Sequence, residues 1–295
     1  MIPLFIDSDN ALGAPSGDID DAFAVAVLVK SGIPISAISS VFGNASEDWV
    51  YRNHLECAKI CGYGGPILHG ATRRGEEETE SSRRLADETG PTRVLAMGPM
   101  TNVAAALRKN PDLPKRVDEL VFLGGNLGFP APAFRFVDFN QWQDPLALRT
   151  ALGSELKMTC LPLNLARRLR MSWKDLSTIS GDLGNYFREH SRRWFRRARL
   201  GKFRGHVPVW DLVSALYVLR PGLFTTRDSS VVLGRFGQFY FGPAAGRPLK
   251  VVIDFDPAVL WTTFLEIVSN KEQIYDQRNS SGECSHTSES SGVLR

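Results

Sequence analysis

Short apolar runs near 2–8, 36–42, 92–97, 118–124 and 157–162 alternate with longer amphipathic stretches near 20–31, 46–62, 100–108 and 145–152. A short apolar run suits a strand buried on both faces, and an amphipathic stretch of three turns suits a helix laid across it. Repeated in this order they make βαβ crossovers, which set neighbouring strands parallel. The expected fold is α/β, a single domain with a mostly parallel central sheet flanked by helices, Rossmann-like in character. Further along, 173–220 reads as mainly helical, 229–234 and 249–254 as strands, and 257–269 as a closing amphipathic helix. After Asn270 the composition turns to Ser, Glu, Gly and Asn with few apolar residues, too few to bury. The expected division is a domain at 1–270 and a flexible, low-complexity tail at 271–295, with Cys284 and His286 in the tail and outside any chemistry.

The chain's 295 residues, 43% of them hydrophobic, suffice for one sizeable core. A net charge of +3 gives no global electrostatic argument for nucleic acid or an anionic membrane. No apolar run reaches the length of a bilayer span. The opening Met1-Ile2-Pro3-Leu4-Phe5-Ile6-Asp7 lacks a basic segment and reads as a first strand, not a signal peptide. The four cysteines, Cys57, Cys61, Cys160 and Cys284, follow no metal or disulfide spacing. Cys57 and Cys61, one helical turn apart, read as packing thiols. A reducing, cytoplasmic setting is the expectation.

The chemistry concentrates where strands end. Asp7-Ser8-Asp9, Gly43-Asn44 and Gly124-Gly125-Asn126 each follow an apolar run, and the carboxyl ends of parallel strands are where such sheets bind ligands. Five aspartates, Asp7, Asp9, Asp18, Asp20 and Asp21, fall within fifteen positions. Crowded carboxylates repel unless a cation neutralises them, and hard oxygen donors suit Ca²⁺ or Mg²⁺ better than Zn²⁺. Helix capping is the alternative reading for Asp18 or Asp20; it explains one aspartate and not four.

With these motifs in order, the chain resembles the nucleoside hydrolase family, on the purine-specific side. The resemblance rests on Asp7-x-Asp9 with Asp20-Asp21-Ala22, Val41-Phe42-Gly43-Asn44 with Arg52-Asn53, and Gly98-Pro99-Met100-Thr101-Asn102. It continues through Leu123-Gly124-Gly125, Asp138-Phe139-Asn140 with Asp144-Pro145, Trp210-Asp211 and Val252-Ile253-Asp254-Phe255-Asp256, so that it covers roughly residues 2–270. The resemblance implies a Ca²⁺ ion, with Mg²⁺ as the alternative, held by Asp9, Asp21, Asp211 and the Leu123 backbone carbonyl. It implies Asp9 as general base, Asp7 as its supporting neighbour, and Asp20, Asn44, Asp138 and Asn140 as partners of the ribose hydroxyls. The implied substrate is a small nucleoside, with neither nucleic acid nor membrane as partner, and the implied assembly is a homodimer or tetramer.

Trp210 decides the substrate class under this resemblance. A histidine stands there in inosine–uridine-preferring members; an indole cannot donate a proton as an acid near neutral pH, but its face stacks on a purine. The alternative is a buried anchor at a helix start. His206 offers a substitute acid, though a loop histidine without a partner is usually incidental.

Three features depart from the family pattern. Asp9 and Asp21 are separated by a long Gly/Pro/Ser/Ala loop instead of a short Pro-Gly turn, so Asp18 could take over a metal position. Pro132 replaces an expected asparagine and Asp138 a glutamate, while Arg135 in the same block offers five donors suited to an anion. Finally, 190–206 carries His190, Arg192, Arg193, Arg196, Arg197, Arg199, Lys202, Arg204 and His206 without an acid. That stretch reads as a solvated helix face or as a cleft border that meets an anionic substituent; RNA binding is disfavoured, since no RNA-binding module accompanies it. The acidic run at 76–80 reads as solvated surface. Two other functions compete: a haloacid-dehalogenase-type phosphatase, which leaves Asp20-Asp21 and Trp210-Asp211 unexplained, and a non-catalytic nucleoside- or nucleotide-binding protein on this scaffold.

Overall fold

The computed structural model describes residues 1–15, 17–127, 138–200, 205–233, 239–242 and 246–269. Strands β1 (Leu4–Ser8), β2 (Ile35–Ser40), β3 (Ile67–Leu68), β4 (Thr92–Ala96), β5 (Val117–Leu123) and β6 (Met158–Leu161) are interleaved with helices. These helices are α1 (Asp20–Lys30), α2 (Glu47–Cys61), α3 (Glu80–Ala86), α4 (Thr101–Lys109), α5 (Phe139–Gln143) and α6 (Pro145–Gly153). Then follow α7 (Leu163–Ala166), β7 (Arg170–Ser172), α8 (Trp173–Leu176), α9 (Gly181–Leu200), β8 (His206–Pro208) and α10 (Trp210–Leu219). The chain closes with β9 (Phe224–Leu233), β10 (Phe239–Gly242), β11 (Arg247–Phe255) and α11 (Pro257–Ser269).

The central sheet has the order β10-β9-β11-β6-β5-β4-β1-β2-β3. Every pairing from β3 across to β11 is parallel, and β9 joins β11 and β10 antiparallel. The period of two along each strand sorts its side chains into two cores. Leu4, Ile6, Ile38, Leu95, Val121 and Leu123 face one cluster with α1, α9, α10 and α11. Phe5, Ala37, Val94, Ala96, Leu120 and Phe122 face the other with α4 and α6. The result is a sheet covered on both faces. Helix α1 is buried along nearly its whole length, and Phe23 seals it to α9 through Phe187 (ring centroids 4.2 Å) and to α11 through Phe264 (6.1 Å).

Several elements differ from the sequence reading. The segment 173–220 is broken by β8, which pairs antiparallel with β7 as a separate two-stranded sheet. The last residue of the acidic run at 76–80, Glu80, opens α3. Thr79 caps that helix reciprocally with Ser82, and a serine in the third position gives a weaker sequence signal than Glu or Gln. The short β3 also escaped the reading, since two residues cannot display a period. Cys57, Cys61 and Cys160 are buried free thiols. Among the described residues no helix is long and apolar enough to cross a membrane. Arg135, Pro132, Cys284, His286 and the tail lie outside the described residues.

Candidate functional site

From β1 the chain crosses to β2 on one side, while β4 lies on the other. The strand order reverses there, and a crevice opens beyond the carboxyl ends. Asp7 and Ser8 end β1, and Asp9 follows at once; all three are fully buried. Asp7 stands behind the crevice, where one carboxylate oxygen accepts from Asn102 Nδ2 and Ser39 Oγ, both at 2.8 Å. Burial nevertheless raises its pKa from 3.8 to about 7. Asp9 is boxed in by two glycines: a Cβ at Gly43 would lie 2.0 Å from its Oδ2, and one at Gly98 3.2 Å from its own Cβ. The Asn44 backbone amide donates to Asp9 Oδ2 at 2.7 Å.

Asp20 and Asp21 form the first turn of α1, where the helix N-terminus favours negative charge. The residue before them, Ile19, offers no side-chain cap, so capping of α1 does not account for these acids. Asp21 Oδ1 accepts from Ser8 Oγ at 2.6 Å. Asp20 Oδ2 accepts from the backbone amide of Asp211 at 3.0 Å. It thereby caps α10, whose own N-cap Val209 has no oxygen to offer. Chain positions 191 apart are joined by this bond. Asp18, Asp20 and Asp21 each present an oxygen, the three lying within 4.8 Å of one another.

Burial is the largest cause holding the carboxyls of Asp9, Asp18, Asp21 and Asp211 well above the usual range, and charge on their neighbours adds to it. Asp211 feels Asp21, Asp20, Asp18 and Asp9; Asp9 feels Asp18 and Asp20. Asp20 is raised by burial too, but the Asp211 and Trp210 amides oppose the shift. One oxygen each of Asp9, Asp18, Asp20, Asp21 and Asp211 is buried without a hydrogen-bond partner. Orphaned hard oxygens of like charge, three of them within 4.8 Å of one another, fit a divalent cation of the Ca²⁺ type, which reverses the local preference for the protonated form.

The sequence-predicted residues fall as follows. Asp18, Asp20 and Asp21 bring an oxygen each to within 4.8 Å of one another, whereas Asp9 and Asp211 stand outside that group and are near enough for their charges to act on it. The Leu123 carbonyl, at the end of β5, accepts from Gln141 Nε2 at 3.2 Å and retains a second lone pair. Asp138 caps α5 by accepting from the Asn140 and Gln141 amides, and burial lifts it to about 6. Asn140 Nδ2 donates to the Met97 carbonyl at 2.5 Å, and its buried Oδ1 has no partner. Trp210 is partly buried against the core, so it anchors α10 as well as preceding Asp211. The His206 side chain is exposed. The α9 basic face is not wholly solvated, since Arg197 donates to the Pro15 carbonyl. Sequence reasoning assigned no role to Asn102, Gln141 or Asn53. Asn102 and Asn53 stand in the motifs quoted above, whereas Gln141 carries no signal before the fold is known.

The sequence matches the profile described as inosine-uridine preferring nucleoside hydrolase over residues 4–262. Uridine nucleosidase 1 of Arabidopsis thaliana is 28% identical over 273 residues, covering 77% of each chain. A pyrimidine-specific ribonucleoside hydrolase (RihA) of Citrobacter koseri is 25% identical, over 80% of this chain and 90% of its own. In fold, the purine-preferring ribonucleoside hydrolase of Gardnerella vaginalis superposes with a TM-score of 0.79 at 17% identity, over 90% of this chain and 98% of its own.

Proposed function

The chain belongs to the inosine-uridine preferring nucleoside hydrolase family, a family of N-glycosyl hydrolases, and from that premise we propose that it cleaves purine ribonucleosides to free base and ribose. The observation that carries this reading is a set of buried carboxylates, Asp9, Asp20, Asp21 and Asp211, each with an oxygen left unpartnered and each within reach of the others' charge, near the reversal point of the sheet. Asp9, Asp21, Asp211 and the Leu123 carbonyl would hold a Ca²⁺ ion, which supplies Lewis acidity toward the attacking water and the ribose hydroxyls.

Asp9 accepts the water's proton as oxygen attacks the anomeric carbon, and the bond to the base nitrogen breaks with its electron pair leaving on the base. Asp20, Asn44, Asp138 and Asn140 hold the ribose hydroxyls; the unpartnered Oδ1 of Asn140 is a ready acceptor for one of them. Carboxylates beside the sugar favour the positive charge that develops on the ring, as in glycoside hydrolysis. Trp210 stacks on the departing purine, and solvent protonates the base. The names of the relatives span uridine, pyrimidine and purine substrates, so the purine preference rests on Trp210. Arg135 is assigned to the 5′ side of the ribose from its sequence block alone.

The test is incubation of the full chain with inosine, adenosine, guanosine and uridine, with and without chelator, reading reducing sugar. Chelator-sensitive release, faster from the purines, is expected. Tight nucleoside binding without release of sugar would favour a non-catalytic binding protein instead.

A further inference from the structure

The loop between β1 and α1 is a built object. Asn10 Oδ1 accepts from the Leu12 amide at 3.2 Å, and the Ala14 amide closes a turn on the Ala11 carbonyl at 2.9 Å. Asn53 of α2 reaches across to the carbonyls of Asn10 (3.1 Å) and Leu12 (2.8 Å). Ala11 and Leu12 are buried. Gly13 has φ +80° and sits so close to α9 that a Cβ would lie 3.1 Å from His190 Nδ1; at Gly17 a Cβ would lie 2.3 Å from that of Ala11. Arg197 of α9 holds the Pro15 carbonyl.

A carboxylate repelled by its neighbours turns to water unless its backbone is fixed. Here residues 10–15 of the loop are held from two helices, and Asp18 presents an oxygen within 4.8 Å of those of Asp20 and Asp21, with a buried oxygen left unpartnered. Oxygens bound to one Ca²⁺ at about 2.3–2.6 Å stand at most about 5 Å apart, so this spacing fits a single ion. The unpartnered oxygens of Asp9, Asp20, Asp21 and Asp211, all in residues no more than 6% exposed, point to the same need.

We propose that Asp18 is a further carboxylate ligand of the divalent-cation site, delivered by the 10–19 loop and held in place by its clamp on α9. This deepens the metal-dependent reading above and rests on it. An added charged oxygen tightens a Ca²⁺ site and suits Ca²⁺ better than Mg²⁺, which prefers few carboxylates and retained water.

The experiment is calorimetric titration of Ca²⁺ into the full, EDTA-stripped chain, alongside thermal unfolding with and without the ion. For Asp18→Asn the expected result is a Ca²⁺ Kd at least tenfold weaker and a smaller Ca²⁺-induced rise in Tm. The metal-free Tm of that variant should equal or exceed the wild-type value, because one repelling charge is gone. Arg197→Ala should weaken Ca²⁺ a few-fold, and Asp48→Asn, at an exposed acid, should leave it unchanged. Equal Ca²⁺ affinity in Asp18→Asn and wild type overturns the ligand assignment, and equal affinity in Arg197→Ala overturns the clamp. A wild-type chain that takes up no Ca²⁺ sinks the underlying metal reading instead, which is a distinct result.

Discussion

Gly43 lies against Asp9 so closely that a Cβ at position 43 would stand 2.0 Å from Asp9 Oδ2, the same oxygen that accepts from the Asn44 amide at 2.7 Å. The end of β2 thus sets the orientation of a carboxylate at the end of β1. In Gly43→Ala the carboxylate must leave its place, since the three atoms nearest the new Cβ all belong to Asp9. Turnover of inosine should fall about a hundredfold, as it does when a reacting group is misplaced, with Tm shifted by a few degrees at most. A wild-type rate would show that this orientation is irrelevant to the chemistry.

Asp9→Ala removes both the proposed base and a metal contact. Loss of a positioned general base alone costs about 10²–10⁴-fold, so a fall in kcat of at least about a thousandfold is expected, with the far-ultraviolet circular dichroism of the folded chain intact. Retention of most activity would contradict the assignment.

Trp210→Ala should lower kcat on purine nucleosides about tenfold, the order expected when a stacking contact of ~1.5 kcal/mol is lost, while Ca²⁺ affinity stays within about twofold. Uridine hydrolysis, with less surface to stack, should change less. Equal losses on inosine and uridine would assign the indole to anchoring α10 alone.

Asn102 ties four segments together. Its Nδ2 donates to Asp7 Oδ1, Ser39 Oγ and the Ser40 carbonyl, and its Oδ1 accepts from the Ala71 amide and Thr79 Oγ1. All of this is buried, so Asn102→Ala leaves several polar groups unpaired, at about 1–3 kcal/mol apiece before relaxation. Urea unfolding should show a loss of about 3 kcal/mol. A loss below about 1 kcal/mol would mean that water replaces the side chain.

The pH dependence of the metal-free protein follows from its raised carboxyls, those of the acidic group together with Asp7 and Asp138. Burial raises the folded pKa values of Asp7 and Asp138 from 3.8 to about 7 and about 6. Each therefore binds its proton more tightly in the folded chain. Their contribution to stability is complete below the unfolded value and is lost as pH rises through about 6 to 7. In EDTA, Tm should fall as pH rises from 3.8 to about 7. Saturating Ca²⁺ should reverse that slope, because binding needs ionised carboxylates. An EDTA curve that rises with pH over this range would show that these carboxyls are not held neutral.

The alternation of apolar runs and amphipathic stretches carried the α/β layering, since burial on both faces makes a strand a continuous apolar run and burial on one side gives a helix an apolar stripe. The acids of β1 and α1 were legible for a similar reason: they are close in sequence, and one strand end and one helix start bring them together. The antiparallel edge β9–β10 and the β7–β8 pair were not legible, because partner choice among short strands is settled by what the rest of the sheet leaves uncovered. Gln141 could not be linked to the Leu123 carbonyl from sequence, because the two stand 18 positions apart in different elements that share no period.

The sequence by itself determined the donor chemistry: carboxylates at strand ends and at the opening of a helix, and a tryptophan before the late aspartate. Only the tertiary structure decided that Asp20 caps the helix carrying Asp211, that Gly43 and Gly98 box in Asp9, and that Asp18 stands beside Asp20 and Asp21. The physical reason is that hydrogen bonds and close approaches between distant segments depend on the packing of whole layers. No local pattern records which two surfaces that packing will bring face to face.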